Sequence, residues 1–195
     1  LQWLRNRPVP GTDYDELTAE ATLSPRGSQG LFWLPYLMGE RTPHLDPYAR
    51  GAWIGLTAKH QRSDLIRAVL EGVSYSLRDC LEIIRQLGAP VSKVRLSGGG
   101  SRSPFWHQLF ADIFGTPVVT LQSQEGSAYG AALLALIGTG EYKNAKEACA
   151  AVIKEVESKD ADSSAKEFYD RAYRVYGSLY PALKQAFSDI DRLDA

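Results

Sequence analysis

Gly51-Ala-Trp-Ile-Gly-Leu-Thr57, followed after a short polar spacer by Asp64-Leu-Ile-Arg-Ala-Val-Leu-Glu71, decides the reading of this chain. Gly51 and Gly55 frame Trp53 and Ile54, an aromatic–aliphatic pair suited to a buried strand. The spacer Ala58 to Ser63 is a turn. Asp64 then stands where an acid favours the positive end of a helix, and Leu65, Val69, Val73 and Leu77 recur at helical spacing. The stretch predicts a strand, a turn and a long amphipathic helix over Ile66 to Leu87, closed by Gly88 as a left-handed cap.

Upstream, Leu1 to Arg7 reads as the tail of a helix, stopped by the breaker Pro8-Val-Pro10-Gly11. A short helix is expected over Asp13 to Thr22, ended by Ser24-Pro25, then a strand over Leu31 to Leu34. Gly39 to Gly51 has no period and is expected as an ordered loop. Downstream, Val94-Arg-Leu96 alternates like a strand and runs into Gly98-Gly-Gly100. Ser103-Pro104 starts a helix, with a hydroxyl at the N-cap and proline at the first helical position. Phe105, Leu109 and Ile113 would line its inner face, and Gly115 would close it. Pro117 to Leu121 reads as a strand and Ser127 to Ile137 as a helix of small residues. Lys143 to Val156 and Ala165 to Phe187 read as helices joined by the polar stretch Ser158 to Ser164. This order gives an α/β fold, a sheet with helices packed on it.

A length of 195 residues suits one domain with a real core, and 44% hydrophobic and 23% charged residues are ordinary values. A net charge of −1 gives no electrostatic footprint for nucleic acid or for an anionic membrane. Cys80 and Cys149 lack C-x-x-C spacing and read as small buried thiols in a reducing compartment. Neither a transmembrane run nor a signal peptide is evident, and a cytoplasmic location is expected. His44, His60 and His107 have no metal-ligand spacing and are expected on loops or the surface. Tyr169, Tyr173, Tyr176 and Tyr180 recur every three or four residues and form a helix face suited to core or interface.

The chemical centre is Leu96-Ser-Gly-Gly-Gly-Ser-Arg-Ser-Pro-Phe-Trp106. A strand ends, three glycines permit close backbone approach, and a helix N-terminus follows with free amides for a phosphate or a nucleotide edge. A tight turn without a ligand accounts for the glycines equally well. Three enzymatic motifs fail on the same residues. A dinucleotide fingerprint needs glycine where Ser103 stands, and an acid where Gln122 and Ser123 stand. A nucleophile elbow lacks its last glycine, and the nearest downstream histidine, His107, has no acid between it and Ser101. A P-loop needs a Lys-Ser or Lys-Thr pair, and none follows.

Every defined position from Gly51 to Glu71 also matches the C-terminal signature of the FGGY family of carbohydrate kinases, which the chain resembles from Leu1 to Ala195. The resemblance implies the C-terminal, nucleotide-binding lobe of an actin-like ATPase (ribonuclease H-like) fold, with a mixed sheet flanked by helices. Its first strands and its glycine-threonine phosphate loop would precede Leu1. Ser97 to Ile113 resembles the family's adenosine motif. Carried over by residue, Gly98, Gly99 and Gly100 would approach adenine and ribose, and Ser103 the base edge, where many glycerol kinases have asparagine.

Glu125-Gly-Ser-Ala-Tyr-Gly-Ala-Ala-Leu-Leu-Ala135 resembles the helix supporting the interdomain hinge. Gly126, Gly130 and Ala131 would admit another element closely. Gly39 to Gly51 looks most like the xylulokinase branch; there Arg41, Asp46 and Arg50 would pair with one another or face the cleft. The family moves the γ-phosphoryl of ATP, with Mg²⁺, onto a sugar hydroxyl. The resemblance thus implies a ketose substrate, D-xylulose first, and D-xylose metabolism. Another sugar or polyol, a non-catalytic partner-binding module and a regulator of the same fold remain as alternatives. The family's catalytic aspartate, most sugar contacts and the first phosphate motif belong to the N-terminal lobe. No residue here is assigned as catalytic or metal-binding, that lobe is the expected partner, and a homodimer is compatible.

Overall fold

A computed structural model of the chain describes residues 1–8, 10–123 and 126–193. Val9 of the breaker, Glu125 of the small-residue segment and Ala195 lie outside the described residues. The elements in order are α1 (Gln2–Asn6), α2 (Tyr14–Ala21), β1 (Phe32–Pro35), β2 (Gly51–Ile54), α3 (Arg62–Gln86) and β3 (Val94–Leu96). They continue as α4 (Pro104–Phe114), β4 (Val118–Leu121), α5 (Gly126–Gly138), α6 (Ala145–Val152), β5 (Glu155–Lys159) and α7 (Ser163–Leu193).

The deciding stretch forms the expected strand and long helix, but β2 is half-buried throughout and α3 begins at Arg62, inside the segment expected as a turn. β2 pairs antiparallel with β1, setting Trp33 opposite Trp53. Trp3 of α1 joins them, so three indoles cluster with ring centroids 4.4–6.0 Å apart, Trp3 stacked on Trp33 and Trp53 tilted against both. Asp64 closes a capping box with Gln61 at the head of α3, and Gly88 takes φ +79° after its end. α3 lies on the hairpin, and the close approach is made at Gly72, where a Cβ would overlap the carbonyl oxygen of Trp33. The buried side of α3 runs through Ile66, Val69, Leu70 and Tyr75, whereas Leu77 from the expected stripe is exposed.

β3 and β4 are parallel and β5 joins β4 antiparallel, so the sheet order is β3-β4-β5. β5 corrects the sequence reading, which placed helix to Val156 and linker beyond it. Its sequence Glu-Val-Glu-Ser-Lys is mostly exposed, and it is held by ion pairs from Lys93 and Arg95 to Glu155 at 2.7 and 2.8 Å. A charged edge strand carries little hydrophobic pattern and resists further pairing.

α4 is wedged between α3 and α7. Leu109 and Ile113 are buried as expected, with Phe105 half-buried, but Phe110 and Phe114 are buried too, because neighbours cover both flanks. His107 is corrected from a surface residue to a core one. It is 1% exposed, and its Nε2 lies 3.1 Å from the Val118 carbonyl. α7 extends past Phe187 to Leu193 and carries Pro181 inside it. Its tyrosines 169, 176 and 180 are core, as their spacing predicts. α5 differs from expectation. It meets α6, and Tyr129 donates to the Val152 carbonyl at 3.0 Å, but Ala131 is exposed and no atom lies within 4 Å of a Cβ at Gly130. No helix of the described residues is long and apolar enough to cross a membrane.

Candidate functional site

β3 delivers the chain into the glycine turn, and Gly98 caps it in a conformation (φ +79°, ψ −168°) that side chains avoid. Gly99 to Arg102 form one 3₁₀ turn, and Ser103 then caps α4, its Oγ accepting from the Trp106 amide at 3.3 Å. That bond uses the Ser103 oxygen as acceptor and leaves its hydrogen to donate. The turn stays open because Gly99 presents no side chain: a Cβ there would meet nothing within 4 Å.

A cavity of about 480 Å³ lies against this turn. Gly99, Gly100 and Ser103, three of the four residues that the resemblance assigns to the nucleotide, line it; the fourth, Gly98, precedes the 3₁₀ turn and is not part of the lining. Trp106 is held by donation from its Nε1 to Ser74 Oγ at 3.1 Å and by a stack on Phe110 with centroids 5.2 Å apart. Its place in the lining was legible in principle, since a side chain in the first helical turn leans back toward the N-terminus.

The other side of the cavity comes from α1 and α2, through Gln2, Tyr14, Asp15 and Thr18. Sequence reasoning missed these residues. Asp13 is the N-cap of α2, accepting from the Glu16 amide at 2.7 Å, and its own amide donates to Glu16 at 3.2 Å. This capping box fixes where α2 begins, and so where Tyr14 and Asp15 stand. Arg102 of the turn gives the lining a cation, and Asp13 and Asp15 at the head of α2 give it two acids. Such a cavity, with backbone amides, a hydroxyl donor and aromatic rings, is suited to a flat polar heterocycle.

The acids of the deciding stretch serve the scaffold. Asp64 accepts from Ser24 Oγ at 2.5 Å, Gln29 Nε2 at 3.0 Å and the Gln61 amide at 2.9 Å. Burial opposes its ionisation, but these donors outweigh burial and hold the carboxyl below its usual range. Glu71 is ion-paired to Arg67 at 2.8 Å and accepts from the Gly27 amide, Ser28 and Tyr169 at 2.8–3.0 Å. Together they pin the loop before β1 to α3.

The loop from Gly39 to Gly51 is ordered by α7. Asp46 accepts from Tyr180 at 2.7 Å and Arg50 pairs with Asp191 at 2.5 Å. The expected pairing of Arg41, Asp46 and Arg50 with one another is therefore corrected: two of them find partners on the C-terminal helix. His44 stacks on Tyr180 with centroids 3.7 Å apart. His60 Nδ1 accepts from the Thr57 amide at 2.9 Å and closes the turn into α3. Asp79 faces Tyr173, which donates to it at 2.5 Å. Burial and then Glu40 push its carboxyl up to about 6 against that bond and against Arg78.

Residues 1–139 match the model of the FGGY family of carbohydrate kinases, C-terminal domain. A xylulose kinase of Staphylococcus epidermidis is 38% identical over 190 residues, covering 97% of this chain; the chain spans 38% of that relative's length. Among solved structures, a ligand-bound xylulose kinase from Lactobacillus acidophilus superposes with a TM-score of 0.90 at 28% identity, over 97% of this chain and 38% of that one. A gluconate kinase from the same organism reaches 0.86 at 29% identity, with the same coverage of both chains.

Proposed function

The chain belongs to the FGGY family of carbohydrate kinases, and from that membership we propose that it supplies the nucleotide-binding face of a sugar kinase. The observation that carries the reading is the glycine turn, with its cavity beside a helix N-terminus. Adenine and ribose would enter between the turn and α2, and Ser103 would donate to a ring nitrogen. The sugar-binding lobe would supply the acceptor hydroxyl and the carboxylate that takes its proton, since phosphoryl transfer depends on both being held in line. This chain then binds and orients ATP but does not turn over alone.

Among the described residues no cluster of His, Cys, Asp or Glu could hold a metal ion. The reading therefore leaves Mg²⁺ to the nucleotide phosphates and the other lobe. A ketose is the proposed acceptor, with D-xylulose first, in the cytoplasm and in D-xylose metabolism. Gluconate is the second reading, supported by the gluconate kinase that superposes almost as well.

Gly99→Val tests the nucleotide site. The position has open space and an ordinary φ, so the variant should fold while its side chain enters the cavity. In the full-length protein it should raise the ATP KM strongly and leave the sugar KM nearly unchanged. Unaltered ATP kinetics in a folded variant would sink the assignment. Assays of D-xylulose and gluconate side by side decide the acceptor. Turnover by these 195 residues alone would refute the division of labour between lobes.

A further inference from the structure

Tyr14, the first residue of α2, is 40% exposed although one face of its ring is covered. The cover is the Arg5 guanidinium, 4.4 Å from the ring centroid. Arg5 is itself oriented by donation from its Nε to Asn6 Oδ1 at 3.0 Å. A cation over one face of an aromatic ring fixes the ring's attitude and leaves the other face available. Tyr14 also lines the cavity that holds Gly99 and Gly100. The lining thus sets Tyr14 among polar neighbours of α1 and α2, and sets the side-chain-free Gly99 and Gly100 beside Arg102, Ser103 and Trp106.

We propose that Tyr14, braced by Arg5, is the stacking wall for the nucleobase of the bound nucleotide. The inference rests on the nucleotide reading above and adds a residue from a segment that the glycine motif does not include. An aromatic ring lining a cavity together with glycines that carry no side chain offers a planar base a face to stack on. Stacking reads the area of a π face and tolerates different base edges. Purine nucleotides should therefore bind better than pyrimidine ones, and the difference should depend on the Tyr14 ring.

Titration calorimetry of the full-length protein with MgATP and MgUTP tests this without relying on turnover. Tyr14→Ala should weaken ATP about thirtyfold, the middle of the range for loss of one base–aromatic stack, and weaken UTP less. Tyr14→Phe should keep both affinities, and the sugar KM should not move in either variant. An unchanged ATP affinity in Tyr14→Ala would overturn the proposal. So would equal weakening of ATP and UTP, or failure of Tyr14→Phe to restore binding. Gly99→Val measured in parallel separates the two readings. If it abolishes ATP binding while Tyr14→Ala is silent, only the stacking wall falls; if both are silent, the nucleotide site falls with it.

Discussion

Tyr169 on α7 donates its hydroxyl to Glu71 on α3 across 2.8 Å, tying the C-terminal helix to the last residue of the stretch that decides the fold. Glu71 and Arg67 are both buried, and each is engaged by the other, by the loop before β1 and by Tyr169. Removing one partner strands the other charge away from water. Glu71→Ala should therefore cost about 3–5 kcal/mol. Tyr169→Phe deletes two hydrogen bonds to charged groups, the donation to Glu71 and the acceptance from Arg67 at 3.1 Å, and should cost at least about 1.5–3 kcal/mol, the worth of one such bond. Urea melts of the two variants check the order and the size.

Gly72→Ala sets two effects against each other. An alanine in a helix interior ordinarily gains about 0.5–1 kcal/mol over glycine. Here the new methyl group would overlap the Trp33 carbonyl oxygen and lie 2.9 Å from Trp33 Cβ, and backbone cannot give way as a flexible side chain can. Overpacking of this kind costs roughly 1–3 kcal/mol. A net loss of stability is expected, and a thermal melt showing a gain would mean that α3 can lift off the hairpin.

Asp79 makes stability depend on pH with a definite sign. Burial first, and Glu40 after it, raise its carboxyl from the ordinary 3.8 to about 6, so the folded state binds the proton more tightly than the unfolded chain does. The associated stability is present below the ordinary value and is lost as pH rises through about 6. Asp79→Asn should melt higher than the parent at pH 7.5, and the gap should nearly close by pH 4. A gap of the same size at both pH values would show that the carboxyl is not the source.

Ala131→Leu should be silent within about 0.5 kcal/mol in a melt of these 195 residues, as expected of an exposed site. Ala131 is exposed and the space beside Gly130 is open. A clear loss of stability would mean that an element covers this face after all, as the family resemblance implied.

What was legible in the sequence was local. β2, the acid in the first turn at Asp64, the Ser103 cap and the Gly88 and Gly115 ends each depend on residues a few places apart, and all were readable. β5 was not, because its place in the sheet is fixed by Lys93 and Arg95, sixty residues upstream, rather than by apolar alternation. The partners of Asp46 and Arg50 lie 134 and 141 residues further along the chain, so no spacing rule could supply them. The site divides in the same way. Gly99, Gly100 and Ser103 follow from one turn, whereas Gln2, Tyr14 and Asp15 reach the cavity only because α1 and α2 fold back on it.

The packing of the indoles also gives the molecule two separate optical environments. Trp3, Trp33 and Trp53 are close enough to exchange excitation among themselves, so they emit as one unit whose light reports the seating of α1 on the hairpin. Trp106, the remaining one of the chain's four tryptophans, sits apart beneath the glycine turn with its ring on Phe110. A guest in the cavity should dim Trp106, which lines it, more than the indole cluster, whereas loosening of the N-terminal helix should act first on the cluster through Trp3. The native chain thus carries its own two-channel fluorescent gauge, one channel for occupancy and one for integrity, with no dye to be attached.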